Sequence, residues 1–226
     1  MSGREHRGRR PGAYRIRALR RGDRKAGRRV CASCAWLGGA DPTHTLDAEI
    51  WAEFWTRYFT ECEPQHTWVV ERDDSVVGYL TGTTNAARVD RYMPRLIPSI
   101  VGRAVRVRLL RRPEQRAMVC GMLTSLVRGE LPVPPAVRRA TPATFHVNLL
   151  PESRGRGLGA ALIRTFPDRM RQLGVPGVHV QIMSPNAAAI RCVRRFGVRS
   201  ACVRRLTAYA NVDPQPIDVH TLALVL

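Results

Sequence analysis

Hydrophobic and polar positions divide this chain into short alternating or apolar runs and longer stretches of helical period. Tyr14-Arg15-Ile16-Arg17-Ala18 alternates and predicts a first strand. Gly22-Asp23 offers a turn and an N-cap to a helix over about 24–37, which Gly38-Gly39 ends. Residues 47–61 carry Trp51, Trp55, Tyr58 and Phe59 at helical spacing, a second helix. The apolar runs 67–71 and 76–81, joined by Arg72-Asp73-Asp74-Ser75, read as a hairpin. The strand rhythm then breaks over 85–142, where helices are expected at about 92–110 and 114–128 before the Pro-rich 131–135. Strands return at 145–150 and 177–183. Between them lies an amphipathic helix, and after them a helix with Ser184 as N-cap and Pro185 at its first position, stopped by Gly197. Two last strands, near 201–210 and 218–225, flank the turn-rich 211–216.

The order β-α-α-β-β-insertion-β-α-β-α-β-β predicts an α/β fold, a mixed sheet with helices on both faces. The expected organisation is a basic tail over 1–12 and one domain over 13–226, with a helical insertion at about 85–142.

The stretch Thr144 to Gly174 carries the sharpest chemistry. A buried strand, a Pro-led turn and the loop Arg154-Gly155-Arg156-Gly157-Leu158-Gly159-Ala160 lead into a helix. A glycine-spaced loop there can aim several backbone N–H groups at one point. The helix dipole adds positive potential, so the junction suits an anion such as a phosphate.

Composition changes the picture in three ways. The net charge is +19, nearly all of it arginine, since Lys25 is the only lysine. Such a field attracts polyanions, but no nucleic-acid reading motif accompanies it, and a nucleic-acid partner is not expected. The six cysteines (31, 34, 62, 120, 192 and 202) are scattered, and the one Cys-x-x-Cys pair has no second pair to complete a metal site, so no metal is expected. No apolar run reaches the roughly 18 residues that span a bilayer, and the amino terminus has no apolar signal region. No membrane partner and a cytoplasmic location are the expectations.

Leu149-Leu150-Pro151, the 154–160 loop, Asn186, Ala189-Ile190 and Arg194-Arg195-Phe196-Gly197 follow one another in an order and spacing that resembles the GNAT superfamily of acetyltransferases. Within it, Phe145 to Pro151 and Gly177 to Val180 are similar to bacterial acetyltransferase-like proteins related to the C-terminal domain of O-GlcNAcase. The resemblance is clear over 144–198 and present over 66–84. It implies a mostly antiparallel mixed sheet and acetyl-CoA as cofactor. The backbone of Arg154, Gly155, Arg156, Gly157, Leu158, Gly159 and Ala160 would hold the pyrophosphate. Leu149 and Leu150 would pair with the pantetheine, and Asn186 would contact the cofactor arm or a water. A backbone N–H near Leu150 would face the thioester oxygen. The implied reaction is direct attack on the thioester by an amine in a ternary complex, with a small-molecule acceptor; a homodimer is open. The alternatives are a protein N-acetyltransferase and a non-catalytic acyl-CoA-binding or interaction module.

Two positions depart from the family pattern. The tyrosine that commonly protonates the leaving thiolate falls at Val193, and the expected acid on the strand falls at Asn148. Period two puts His146 with Asn148 on one strand face and His179 with Gln181 on another, which makes His146 and His179 the candidate bases. Each histidine alternatively belongs to a buried polar network. Glu152, Tyr79 and Tyr209 rank behind them. The 47–61 aromatic stripe either packs the core or lines an acceptor pocket. The acids Asp47, Glu49, Glu53, Glu61 and Glu63 either form a rim for a cationic amine or a solvated helix face. The arginines at 103, 106, 108, 111, 112 and 116 either face solvent or wall an anionic partner.

Overall fold

The hairpin at 72–75 is where sequence and backbone agree most closely: Asp73 and Asp74 both take positive φ (45° and 61°), the type I′ conformation that matches strand twist. It joins β2 (Thr67–Arg72) to β3 (Ser75–Thr83), and β1 (Tyr14–Ala18) lies antiparallel along the other edge of β2. The computed structural model describes residues 12–34, 47–210 and 215–226. The expected basic tail, the 38–39 helix stop and most of the 211–216 turn lie outside these residues.

The remaining strands are β4 (Ala143–Leu149), β5 (Gly177–Met183), β6 (Arg199–Leu206) and β7 (Ile217–Val225). The sheet order is β1-β2-β3-β4-β5-β7-β6, and every neighbouring pair is antiparallel except β4 and β5. That parallel pair is joined only at Ala143↔Val178 and Thr144↔His179. Beyond Thr144 the two strands part, and a gap opens in the middle of the sheet.

Two helices, α1 (Arg24–Ser33) and α2 (Ala48–Cys62), cover one face over β2–β4. Helices α6 (Leu158–Gln172) and α7 (Ala187–Arg194) cover the other. The main core lies under α6, where Phe166, Leu162 and Met170 are fully buried against Leu80, Phe145 and Val180. Gly82 is required there: a Cβ on it would stand 2.1 Å from the Phe166 ring.

Between β3 and β4 run α3 (Ala86–Arg106), α4 (Pro113–Val127) and α5 (Pro135–Ala140). Helix α3 begins six residues before the expected 92, capped by the Asn85 side chain on the Ala87 N–H at 3.0 Å. It continues through Pro94 and Pro98. Both prolines are exposed, where water can take the carbonyls they leave unbonded. Helix α4 packs on the far end of the sheet through Met118 and Gly121, against Leu206, Ala208, Tyr209 and Ile217. Glu130 ties it down, its carboxylate accepting from Ser125 Oγ (2.6 Å) and the Thr207 N–H (2.7 Å). Strand β6 therefore ends at Leu206, before the expected 210, because Ala208 and Tyr209 turn into this contact.

Candidate active site

The open edge at the β4–β5 gap is the natural place for an extended ligand. In the antiparallel β3–β4 ladder the Leu150 N–H bonds Val77 O at 2.9 Å, so it is taken. Alternation then turns the backbone groups of Val147 and Leu149 away from β3, into the gap. The resemblance implies an oxyanion donor near Leu150; with the Leu150 N–H taken, the backbone groups left facing the gap are those of Val147 and Leu149. Leu149 O already accepts from Arg154 Nε (2.9 Å) and from Cys34 Sγ (3.4 Å), and Arg154 Nη2 reaches Cys34 Sγ at 3.6 Å.

The 154–160 loop closes this edge. Gly155 and Gly157 take φ of +72° and +76°, where a side chain is strained, and no atom comes within 4 Å of a Cβ built at either. Arg154 N–H turns back to Pro151 O, and the first amide used inside α6 is that of Ala161, on Gly157 O. The N–H groups of residues 155–160 take no backbone acceptor among the described residues. The two arginine side chains point elsewhere: Arg154 lies on Leu149 O, and Arg156 sits over the Tyr14 ring at 5.4 Å. The backbone alone makes the cradle. These orphan amides and the open space around them fit a pyrophosphate.

Asn186, at the start of α7, follows β5 on the other side of the gap. It is the N-cap in place of the expected Ser184: its Oδ1 accepts from the Ala189 N–H at 3.2 Å. Ser184 Oγ instead accepts from the Asp218 N–H, 3.0 Å away. Val193 is 1% exposed within the main core, so no proton donor stands at that position.

The two histidines part company. His146 lies between Tyr79 and Trp55, its ring stacked on Trp55 with centroids 4.9 Å apart at 17°. Tyr79 Oη meets His146 Nδ1 at 3.1 Å and accepts from Asn148 Nδ2 at 3.1 Å. Burial pushes the neighbouring Cys31 thiol up to about 12, so it stays protonated. Donor–acceptor complementarity assigns the tautomer. With Asn148 donating to its oxygen, the Tyr79 proton is assigned to His146 Nδ1, and His146 then keeps its own proton on Nε2. Burial pushes His146 down to about 4, so the ring is neutral at physiological pH. The group read from the sequence as a base is therefore a poor one and presents an N–H.

His179 is buried on β5, and its Nδ1 bonds Thr141 O at 2.5 Å. Burial lowers its pKa. It fastens β5 to the end of the insertion. Tyr209 is buried under α4, which leaves it no access to the gap.

The acidic residues of α2 make no open rim. Asp47 is bonded by Arg103, Glu49 by Arg28 (3.1 Å), Glu53 by Arg57 (2.6 Å), Glu61 by Arg57 (3.2 Å), and Glu63 lies 3.5 Å from Arg88. The aromatic stripe divides. Tyr58 and Phe59 are buried in the interior, while Trp51, Phe54 and Trp55 form a continuous edge-and-stack cluster that reaches His146. Trp55 Nε1 is buried with no hydrogen-bond partner among the described residues. Sequence reasoning offered Trp55 as one lining of an acceptor pocket without its partner and did not join Cys34 to the site, since each meets its partner across 91 to 120 positions of chain, beyond any local pattern.

Comparison with solved structures agrees with this fold. SsHAT is similar over 94% of this chain and 98% of its own, at 25% identity and a TM-score of 0.69. YncA of Salmonella typhimurium, determined with acetyl-CoA, is similar over 95% and 94% at 18% identity and 0.56. The polyamine N-acetyltransferase of Drosophila melanogaster is similar over 95% and 100%, also at 18% and 0.56. Residues 35–198 match the Acetyltransferase (GNAT) family, and the chain belongs to it.

Proposed function

We propose that this protein is an acetyl-CoA-dependent N-acetyltransferase acting on a small amine. The observation that carries the reading is the edge of β4 left without a strand partner beyond Thr144, running into a loop at the start of α6 whose amides take no backbone acceptor among the described residues. An extended pantetheine adds to such an edge as a strand does, and the loop receives its pyrophosphate. Acetyl-CoA supplies an activated thioester carbon. The protein supplies position, backbone N–H groups toward the developing oxyanion, and a dry wall formed by Trp55 and His146.

With the carboxylates of α2 engaged by arginines, the aromatic faces of Trp51, Phe54 and Trp55 are left to receive a cationic amine. His146 serves as an N–H donor in that wall; the amine attacks as its free base, its ammonium proton having gone to water, and water protonates the departing thiolate. The test is turnover of acetyl-CoA with a panel of small amines, read as free thiol. Trp55→Ala should raise KM for the amine, and His146→Ala should lower kcat. If no acceptor releases thiol although acetyl-CoA binds, the protein is a non-catalytic acyl-CoA module, the reading favoured by the burial of Val193 where a donor would stand.

A further inference from the structure

Helix α3 is amphipathic and lies the wrong way round for a helix that packs on its own domain. Its polar side faces α2: Arg88 reaches Glu63, Arg103 bonds Asp47, Tyr92 Oη bonds Glu61 at 3.2 Å, and Ser99 Oγ bonds Glu53 at 2.6 Å. Only Ala86 and Leu96 of its 21 residues are buried. At i, i+4 and i+8, Ile97, Val101 and Val105 stand 56%, 52% and 71% exposed, and Leu110 just beyond is 57% exposed. Pro94 and Pro98 belong to the same outward stripe. Asp90, the one acid on that side, is held by Arg138 at 2.6 Å. Arg91, Arg95 and Arg106 are exposed along one flank, and Arg108, Arg111 and Arg112 follow the helix end. From 91 to 116 the chain carries eight arginines against one acid, Glu114.

We propose that the outer face of α3, from Pro94 to Leu110, is a surface for adsorption to an anionic lipid membrane. Exposed apolar side chains beside a bank of cations are the features of a helix that lies in the plane of a membrane interface. The arginine stems reach along the apolar boundary while their heads meet lipid phosphates. A second copy of the chain fits badly, since it would bring the same uncompensated arginines against themselves. A nucleic acid would use the arginines and leave the Ile97–Val101–Val105 stripe in water. A lipid surface satisfies both features and needs no matching groove. It also needs no spanning segment: no helix among the described residues is long and apolar enough to cross a membrane.

The test is flotation of the full chain with phosphatidylcholine vesicles, with and without phosphatidylglycerol. Wild type should float only with the anionic vesicles, and less so as salt is raised. The triple variant Ile97→Ser/Val101→Ser/Val105→Ser, all at exposed positions, should lose about tenfold or more in partitioning while keeping its circular dichroism and its acetyl-CoA affinity. Arg106→Gln/Arg111→Gln should weaken partitioning about 25-fold, roughly fivefold for each charge near the surface; this variant decides the matter if the triple one fails to fold. Three results overturn the proposal: no flotation with anionic vesicles, undiminished flotation of a folded triple variant, or a wild-type dimer that the triple variant dissociates.

Discussion

Replacing Tyr79 by phenylalanine removes one oxygen from the centre of the site and little else. That hydroxyl holds His146 Nδ1 and Asn148 Nδ2, each at 3.1 Å, and the residue is 1% exposed. Phenylalanine keeps the ring and its packing, so the loss is confined to hydrogen bonding. Two bonds disappear, and a half-buried donor and a half-buried acceptor lose their partner. At about 1–3 kcal/mol for each stranded group, partly offset by rearrangement, the expected cost is about 2–4 kcal/mol. For a chain of this length, an unfolding entropy of about 2.1 cal/mol/K per residue converts that to a Tm lower by roughly 4–8 °C. Thermal unfolding by circular dichroism measures it. The same variant frees the imidazole tautomer. Nitrogen-15 NMR should show His146 protonated at Nε2 alone in the wild type and a mixture of tautomers in Tyr79→Phe. A wild-type spectrum with the proton on Nδ1, or a Tm unchanged within 1 °C, would falsify the network and the tautomer drawn from it.

Other consequences are simpler to state. His146 has a folded-state pKa depressed to about 4 from its ordinary 6.5, so the unfolded chain binds the proton first as pH falls. Its contribution to stability is complete above about pH 6.5 and is lost progressively down to pH 4; urea titrations should show that slope reduced in His146→Gln. Burial works to raise the Glu63 carboxyl, but bonds from Tyr58 Oη (2.5 Å) and Thr83 Oγ1 (2.8 Å), with Arg88 nearby, outweigh it and hold its pKa below the ordinary value. Glu63→Gln should therefore cost about 2 kcal/mol at pH 7, the worth of bonds to a charged acceptor. The deficit should shrink as pH falls through the lowered pKa of Glu63. Gly157→Ala forces a Cβ into the left-handed region at φ +76°, which costs about 1–2 kcal/mol and a few degrees in Tm. It should weaken CoA binding by more than about tenfold through displacement of the amide cradle, a loss calorimetry would detect.

What could be read from the sequence was what is local. The 154–160 loop was legible because its glycines, its charge and its place between a strand and a helix all lie within one short segment. The order of elements was legible because period two and period 3.6 alternate cleanly outside the insertion. The start of α3 was hidden: the helix expected from about 92 already runs across Pro94 and Pro98, but its start six residues earlier, under the cap that Asn85 makes, was not read. His146 and His179 look equivalent in sequence because alternation assigns a face and not a neighbour. What separates them is the parting of β4 from β5 after Thr144, which leaves His146 beside the gap and His179 against Thr141 O. Glu53 and Glu61 meet Arg57 four positions away on α2 itself. The partners of Glu49, Glu63 and Asp47, which are Arg28 on α1 and Arg88 and Arg103 on α3, are 21 to 56 positions distant, which left a rim for an amine open in the sequence.

The two departures from the family pattern then acquire one meaning. Asn148, where a carboxylate is expected, is the donor that turns the Tyr79 hydroxyl toward His146. Val193, where a tyrosine is expected, is core. Burial lowers both candidate histidines, His146 to about 4, and raises Cys34 and Tyr79, which keeps that thiol and that hydroxyl protonated at neutral pH. On the proposed reading none of these four groups is the base, and the amine reaches the thioester already neutral or loses its proton to water. The rate should then follow the amine's own ionisation: log kcat/KM rises with unit slope from pH 5.5 to the pKa of the free amine, then levels. Two acceptors whose pKa values differ should level at different pH, and His146→Gln should lower the plateau without moving the bend. A limb near pH 6.5 that is common to all acceptors and vanishes in His146→Gln would instead make His146 a base, and would overturn the tautomer as well.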